Sequence, residues 1–199
     1  AAKTYMPKLN WDIWKINSKG YPTFKFIDYP YDEGKIGRAW SGKIASGFAG
    51  GKGTKESPYQ IATPEQLAYC VTLPQAKTEG KYFEIIENIV INDTAKSNWK
   101  ESARDWFTAK QWGDSFRGKV DGKAHTVSGL YVNVQGTGLC TALFPRIGYG
   151  AEIKKIGLIH SSVAIVSSPS EAYAAGFAGY IDNVMPDDAS SDNYPRISQ

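Results

Sequence analysis

The chain has 199 residues, of which 42% are hydrophobic and 22% charged, and this balance is typical of a folded globular protein rather than a disordered one. Its 23 basic and 20 acidic residues are spread along the sequence, and no apolar stretch approaches the roughly 20 residues of a membrane helix, so we expect neither nucleic-acid binding nor membrane insertion. Twenty glycines and twelve tyrosines favour a turn-rich, β-dominated fold.

The first 57 residues divide into two segments. Residues 1–30 are dense in aromatic side chains, Trp11 and Trp14 among them, and the alternation over 21–26 predicts one short strand. The two tryptophans could form a sugar-stacking platform, but packing as an N-terminal aromatic cap or as the end of a preceding unit is favoured. Residues 31–57 are a glycine-rich linker or loop, and they lack the GK[ST] context of a phosphate-binding loop.

Residues 63–74 carry the clearest local signal in the chain. Thr63 is placed as a helix N-cap, Pro64 follows at the first helical position, and Gln66 lies three residues after the cap. An apolar stripe runs on to Pro74, so the pattern predicts one short helix over 64–73.

Beyond residue 81 the sequence favours short β-strands separated by turns rich in Gly, Asn and Asp. A long polar insertion over 92–115 interrupts them. The predicted strands are 82–86, 89–91, 116–120, 126–133, 151–159 and 176–184.

Two stretches show internal similarity. Residues 142–147 can be laid over 175–180, an offset of 33, and residues 127–130 over 155–158, an offset of 28. A β-sandwich would give strands of similar length, but repetition at this spacing favours a β-solenoid, in which successive levels stack.

The chain resembles bacterial proteins that carry GLUG motifs, a repeat of large secreted and cell-surface β-helix proteins. The resemblance covers about residues 40–199: it includes a lead-in over 40–61, rung-like segments over 116–122 and 125–133, and Gly176-Phe177-Ala178-Gly179 as the motif core. An earlier copy of the core departs from the pattern, because Pro145 stands where the second glycine is usual.

This resemblance implies a mainly β fold, a right-handed parallel β-helix over 58–199 with a short N-terminal capping helix, truncated at the C-terminus. We expect Ile153, Ile156 and Leu158 to form one inward-facing column, with Val127 and Leu130 below them. Glycines at the corners would permit the positive φ angles of tight bends.

The sequence offers little catalytic or metal chemistry. Asp121 and His125 are better explained as a turn, and the acidic loop with Asp187, Asp188 and Asp192 is more simply solvated than calcium-binding. Cys70 and Cys140 are interpreted as two buried thiols rather than a disulfide. We therefore expect a non-enzyme without cofactor or metal, although a fragment of a polysaccharide-degrading enzyme is the alternative.

The polar insertion is the candidate ligand-binding region. Aromatic faces stack on sugar rings, and charged neighbours supply polar contacts, but the tryptophans could equally fold back to cover the side of the helix. The expected function is adhesion or binding of carbohydrate or a host protein, in a large extracellular or cell-surface protein with further domains in the same chain; a ligand-free stalk is a further alternative. The candidate residues are Trp99, Arg104, Asp105, Trp106 and Trp112.

Overall fold

The computed structural model describes residues 14–16, 22–24, 39–95, 97–110, 114–134, 139–165, 172–182 and 196–198. Its contacts divide the chain into Ala1–Lys35 and Ile36–Gln199. In the first unit β1 (Trp14–Ile16) and β2 (Pro22–Phe24) pair antiparallel, and β2 lies within the strand predicted over 21–26. Trp11 lies outside the described residues.

The second unit is mainly β, as the sequence predicts, and its helices are few and short. These are α1 (Pro64–Thr72), α2 (Gln75–Thr78) and a 3₁₀ helix (Trp99–Ser102). The strands, in chain order, are β3 (Tyr59–Ile61), β4 (Tyr82–Ile85), β5 (Ile89–Val90), β6 (Thr108–Lys110), β7 (Lys119–Asp121), β8 (Thr126–Ser128), β9 (Tyr131–Val134), β10 (Leu139–Thr141), β11 (Phe144–Ile147), β12 (Glu152–Lys154), β13 (Gly157–Ile159), β14 (Ser162–Ile165), β15 (Ala172–Ala174), β16 (Ala178–Ile181) and β17 (Arg196–Ser198).

Helix α1 begins where the capping signal predicts. The Thr63 hydroxyl accepts a hydrogen bond from the Gln66 amide at 3.3 Å, and the Gln66 side chain accepts one from the Ala62 amide at 2.8 Å. The first bond satisfies a backbone donor that the first turn of a helix leaves without a partner, and the second satisfies the amide just before the cap. The helix buries Leu67, Ala68 and Cys70, ends at Thr72, and is followed by the second short helix, α2, which the sequence reading did not predict.

Parallel pairing organises the rest of this unit into small sheets. One five-stranded sheet runs in the order β17-β12-β7-β4-β3, and two further sheets have the orders β13-β8-β5 and β14-β9. Strand β10 pairs parallel with β15 and antiparallel with β6, and β11 pairs parallel with β16. We call β4 and β5 level 1, β7–β11 level 2 and β12–β16 level 3; β17 begins level 4.

The register of these pairs corrects the predicted core column. Ile153 lies beside Val120 on one side and Ile197 on the other, whereas Leu158 pairs with Val127 in a different sheet. Ile153 and Leu158 therefore belong to separate columns, because the chain turns between β12 and β13 at Lys155, which has a φ of 55°.

The structure also corrects the two offsets. Val127 pairs with Leu158, 31 residues further along instead of 28, and Phe144 pairs with Ala178, 34 residues further along instead of 33. Likewise the strands predicted over 126–133 and 151–159 are each divided in two, the first at Gly129, whose φ is +71°. Turns inside a level are therefore closer together than the hydrophobic runs indicate.

The glycine-rich segment over 39–57 packs against β3. Gly50 and Gln60 form an antiparallel bridge with a 2.9 Å hydrogen bond from the Gln60 amide to the Gly50 carbonyl, and the Ala49 amide donates back to the Gln60 carbonyl. This segment thus covers the outer edge of the five-stranded sheet. Cys70 and Cys140 are both buried and form no disulfide, as predicted.

Candidate functional site

The insertion that carries the candidate residues is closed at its base by one buried side chain. The Asn92 amide group donates to the carbonyls of Arg104 (3.0 Å) and Gly129 (2.8 Å), and its oxygen accepts from the Arg104 amide at 2.7 Å. Residues 92–104 therefore form a loop whose two ends are fastened to each other and to the next level of strands.

Trp106 is a packing residue. Its side chain is buried, its indole Nε1 donates to the Leu143 carbonyl at 3.0 Å, and its ring packs edge-on against Trp40 and Phe107, each with centroids 4.9 Å apart. A ring in this position has no open face on which a sugar could stack. Trp106 instead folds back to cover the strands, which is the alternative to ligand binding that the sequence left open. Trp40, which the sequence reading did not single out, anchors this cluster.

Trp99 keeps part of its ring exposed. It lies in the 3₁₀ helix and packs edge-to-face against Tyr131 of β9, with centroids 6.0 Å apart and ring planes at 79°. This contact orients the indole and leaves surface on which an apolar sugar face could stack. Trp112, the third tryptophan of the insertion, lies outside the described residues.

The two charged candidates are exposed but are not grouped around Trp99. The Arg104 side chain lies over Gly42, so close that a Cβ there would be 2.8 Å from Nη1. Asp105 is exposed beside the buried Trp106. Among the described residues, neither charged side chain forms a hydrogen bond, an ion pair or a ring contact with Trp99. Among the described candidates, the structure thus brings Trp99 together with Tyr131 and not with Arg104, Asp105 or Trp106.

A second aromatic surface lies in a cleft of about 310 Å³ between the glycine-rich segment and α1, and the sequence reading missed it. Phe48 stacks on Tyr59 with centroids 4.7 Å apart and packs against Tyr69 of α1 at 5.1 Å. Gly47 borders the cleft, with open space where its side chain would be, and the Lys77 side chain lines it.

Two tyrosines and a lysine contribute polar side chains to the lining of this aromatic cleft. Within the described part of the chain, the hydroxyls of Tyr59 and Tyr69 form no hydrogen bond, and the Lys77 ammonium has no ion-pair partner. Aromatic rings combined with a few polar groups are the usual composition of a small-molecule site. The signal in the sequence was Phe48 inside a glycine run, but its partners Tyr59 and Tyr69 are distant enough that only the fold brings them together.

A larger cleft of about 440 Å³ lies beside the start of α1, and two of its polar side chains, Glu65 and Asn88, already bond to other parts of the chain. Glu65 accepts from the hydroxyl and the amide of Ser41, at 2.7 and 3.2 Å. Asn88 accepts from the amide of Thr126 at 2.9 Å. These contacts hold the chain together rather than face a ligand.

The two residues of the sequence that were weighed for catalysis, Asp121 and His125, contact other groups of the chain. Asp121 accepts a hydrogen bond from the Lys123 amide at 2.9 Å and so shapes the turn, and His125 lies 3.4 Å from the Asn88 side chain. The described residues contain no group of three or more potential metal ligands. The acidic loop with Asp187, Asp188 and Asp192 lies outside them.

None of the helices in the described residues is both long and apolar enough to cross a membrane.

Comparisons with known proteins find one distant relative. Over 145 residues the chain is 26% identical to a protein of Evansella cellulosilytica named "Putative Gly-rich membrane protein"; the match covers 70% of this chain but only 16% of that protein. No family model matches the chain, and no solved structure matches it.

Proposed function

We propose that the chain is a non-catalytic ligand-binding module of a large bacterial secreted or cell-surface protein, folded as a right-handed parallel β-helix with α1 as its cap. Its ligand is carbohydrate or a host-surface protein. Glycan-binding aromatic residues on a rigid stack of strands suit adhesion, since the scaffold holds the rings in place before the ligand arrives.

The proposed helix is supported by the parallel registers. Val120 lies between Phe83 and Ile153, and Ile89 and Val127 pair in the neighbouring sheet, so successive levels place apolar residues above one another. The right hand follows the rule that connections between parallel strands of one sheet are nearly always right-handed. The cap assignment is supported by the position of α1 directly after β3, the last strand of the five-stranded sheet.

The proposed place in a larger surface protein is supported by the relative from Evansella cellulosilytica, of which this chain matches a small part. The printed name of that protein speaks of a glycine-rich membrane protein, and twenty of the residues here are glycines.

The observation that carries the binding proposal is the cleft formed by Phe48, Tyr59 and Tyr69. It combines stacked rings, two tyrosine hydroxyls and the Lys77 ammonium in about 310 Å³, enough for one sugar residue. The partly exposed Trp99 ring offers a second surface for the same class of ligand.

A glycan and mucin array with the purified chain, followed by titration calorimetry on the best ligand, tests this proposal. We expect Tyr69→Ala to weaken binding about tenfold or more if the cleft is the main site, and Trp99→Ala to do so if the insertion is. Tyr173→Ala is the matched control, because Tyr173 is an exposed ring in an edge-to-face pair with Tyr180 that resembles the Trp99–Tyr131 pair.

Binding that survives both Tyr69→Ala and Trp99→Ala would contradict both sites. If the array and a panel of mucins give no binding at all, a carbohydrate ligand is contradicted, and a host protein or a ligand-free stalk takes its place.

A further inference from the structure

Exposure rises sharply on level 3, at positions that are in register with buried residues of level 2. Ile147 is fully buried, but its partner Ile181 is 50% exposed; Cys140 is fully buried, but its partner Tyr173 is 39% exposed. Paired residues of parallel strands point to the same side of the sheet. The exposed side chains of level 3 therefore stand in the same columns as the buried side chains of level 2. Two further pairs show a smaller change. Val127 and Val132 of level 2 are buried, whereas their partners on level 3, Leu158 and Val163, are only partly buried.

Strand β17 provides an internal control for this pattern. It pairs with β12 and places Ile197 beside Ile153, which stays 1% exposed. Ile197 itself, with no described strand beyond it, is 43% exposed. Thus the level 3 column that a further strand covers is buried, and the level 3 columns that no described strand covers are partly or largely exposed.

The opposite end of the stack is closed. The Gly50–Gln60 bridge occupies the outer edge of β3, and α1 buries Leu67 and Cys70 in the core directly after that strand. In the described part of the chain, the open apolar face therefore lies on level 3, and we call it the level 3 face: Leu158, Val163, Ile165, Tyr173 and Ile181.

We propose that the level 3 face binds a further level of parallel strands from the same protein, continuing from β17 in the register that β17 sets. This inference rests on the proposed β-helix. The incoming strands bring apolar side chains to stack on the face, and their backbone groups bond to the open edges of β13–β16. The coverage of Ile153 by Ile197 is the first contact of that interface.

The test lengthens the chain with its own sequence. A copy of residues 155–182 is added after Ser198, so that β17 takes the part of β12 and the added residues repeat β13–β16. The matched control carries the same extension with the copied Leu158, Val163, Ile165 and Ile181 replaced by serine. Amide hydrogen exchange, binding of a fluorescent apolar dye and sedimentation velocity are measured on the 199-residue chain and on both extended chains.

We expect the apolar extension to slow amide exchange in the original β14 and β16 at least tenfold and to reduce dye binding, while the serine extension does neither. Exchange in β4 and β7 reports whether every chain is folded. Equal exchange in β14 and β16 of the two extended chains would overturn the proposal. The proposal would also be overturned if the 199-residue chain forms a dimer that already protects these strands, and if that dimer persists in the extended chains. A second copy of the chain would then be what covers the level 3 face.

These readouts do not involve a ligand, so failure here is distinct from failure of the binding proposal. Glycan binding by a chain whose level 3 face accepts no further strands would leave the binding module intact and remove only this interface.

Discussion

Asn92 holds Gly129 by a 2.8 Å hydrogen bond from its Nδ2 to the Gly129 carbonyl, across 37 residues of sequence. Gly129 in turn approaches the Asn92 backbone so closely that a Cβ on it would lie 2.2 Å from the Asn92 carbonyl oxygen. This contact joins the base of the Trp99 loop to the turn between β8 and β9. The loop and the strand that carries Tyr131 are therefore positioned by the same pair of residues.

Replacing Asn92 should destabilise the protein and loosen the loop. Asn92→Ala leaves three backbone groups without their hydrogen bonds, and we expect a loss of about 2–4 kcal/mol in the free energy of unfolding. Asn98→Ala is the control, because among the described residues its side chain bonds to Glu101 alone, at an exposed position, and it should cost less than about 0.5 kcal/mol. Urea unfolding of both variants checks this; equal losses would show that Asn92 does not fasten the loop.

Gly129→Ala and Gly150→Ala separate steric conflict from backbone strain. Both glycines have positive φ, +71° and +76°, but only Gly129 has backbone atoms where the new Cβ would lie. We expect about 1 kcal/mol of strain at Gly150 and at least about 2 kcal/mol at Gly129, where a clash is added. Thermal and urea unfolding measure the difference; a Gly150 variant at least as unstable as the Gly129 variant would contradict the close approach to Asn92.

Truncating Ile153 should cost more than truncating Leu158. Ile153 is covered on both sides by paired strands and is 1% exposed, so Ile153→Ala should lose about 2–5 kcal/mol. Leu158 is only partly buried at the level 3 face, and Leu158→Ala should lose about 1–2 kcal/mol. The reverse order in urea unfolding would mean that the level 3 face is covered.

The stability of the protein should fall above about pH 8.5. Burial raises the pKa of the Cys70 thiol far above its usual range, so the native state retains a proton that the unfolded chain releases. Because the native state then binds more protons, the free energy of unfolding declines as pH rises, by up to about 1.4 kcal/mol per pH unit from this thiol.

Urea unfolding between pH 7.5 and 10 in the presence of a reductant measures this slope. Cys70→Ala should unfold with a shallower slope than the parent chain, even if it is less stable throughout. Burial also raises the pKa of Cys140, which the Arg146 charge partly opposes, so a smaller slope should remain in the variant. Identical slopes would show that Cys70 titrates normally in the folded protein.

The sequence predicted the local features of the fold better than its register. The cap of α1 could be predicted because Thr63, Pro64 and Gln66 act on backbone groups close to them in the sequence. The mainly β fold could be predicted because burial within each level shows in the β-rich composition of the sequence. The offsets of 28 and 33 were wrong because glycines and hydrophobic residues of two repeats can be aligned with each other in several ways. The hydrogen bonds between adjacent levels allow only one of these alignments.

The candidate site was predictable only in part. Trp99 is partly exposed, but an aromatic residue in a polar segment can equally turn inward, as Trp106 does where Leu143 offers a carbonyl to its indole. The cleft of Phe48, Tyr59 and Tyr69 depends on a glycine-rich segment folding back on β3. That contact joins distant parts of the sequence, and no local pattern marks it.

The measurement that tests the stacked-strand account most directly is a methyl-to-methyl nuclear Overhauser experiment on the Ile, Leu and Val side chains. The account predicts cross-peaks between Val127 and Leu158 and between Val132 and Val163, because each pair is adjacent in the parallel sheets. Cross-peaks between Leu130 and Leu158 without any between Val127 and Leu158 would indicate the 28-residue register, and the stack described here would be wrong.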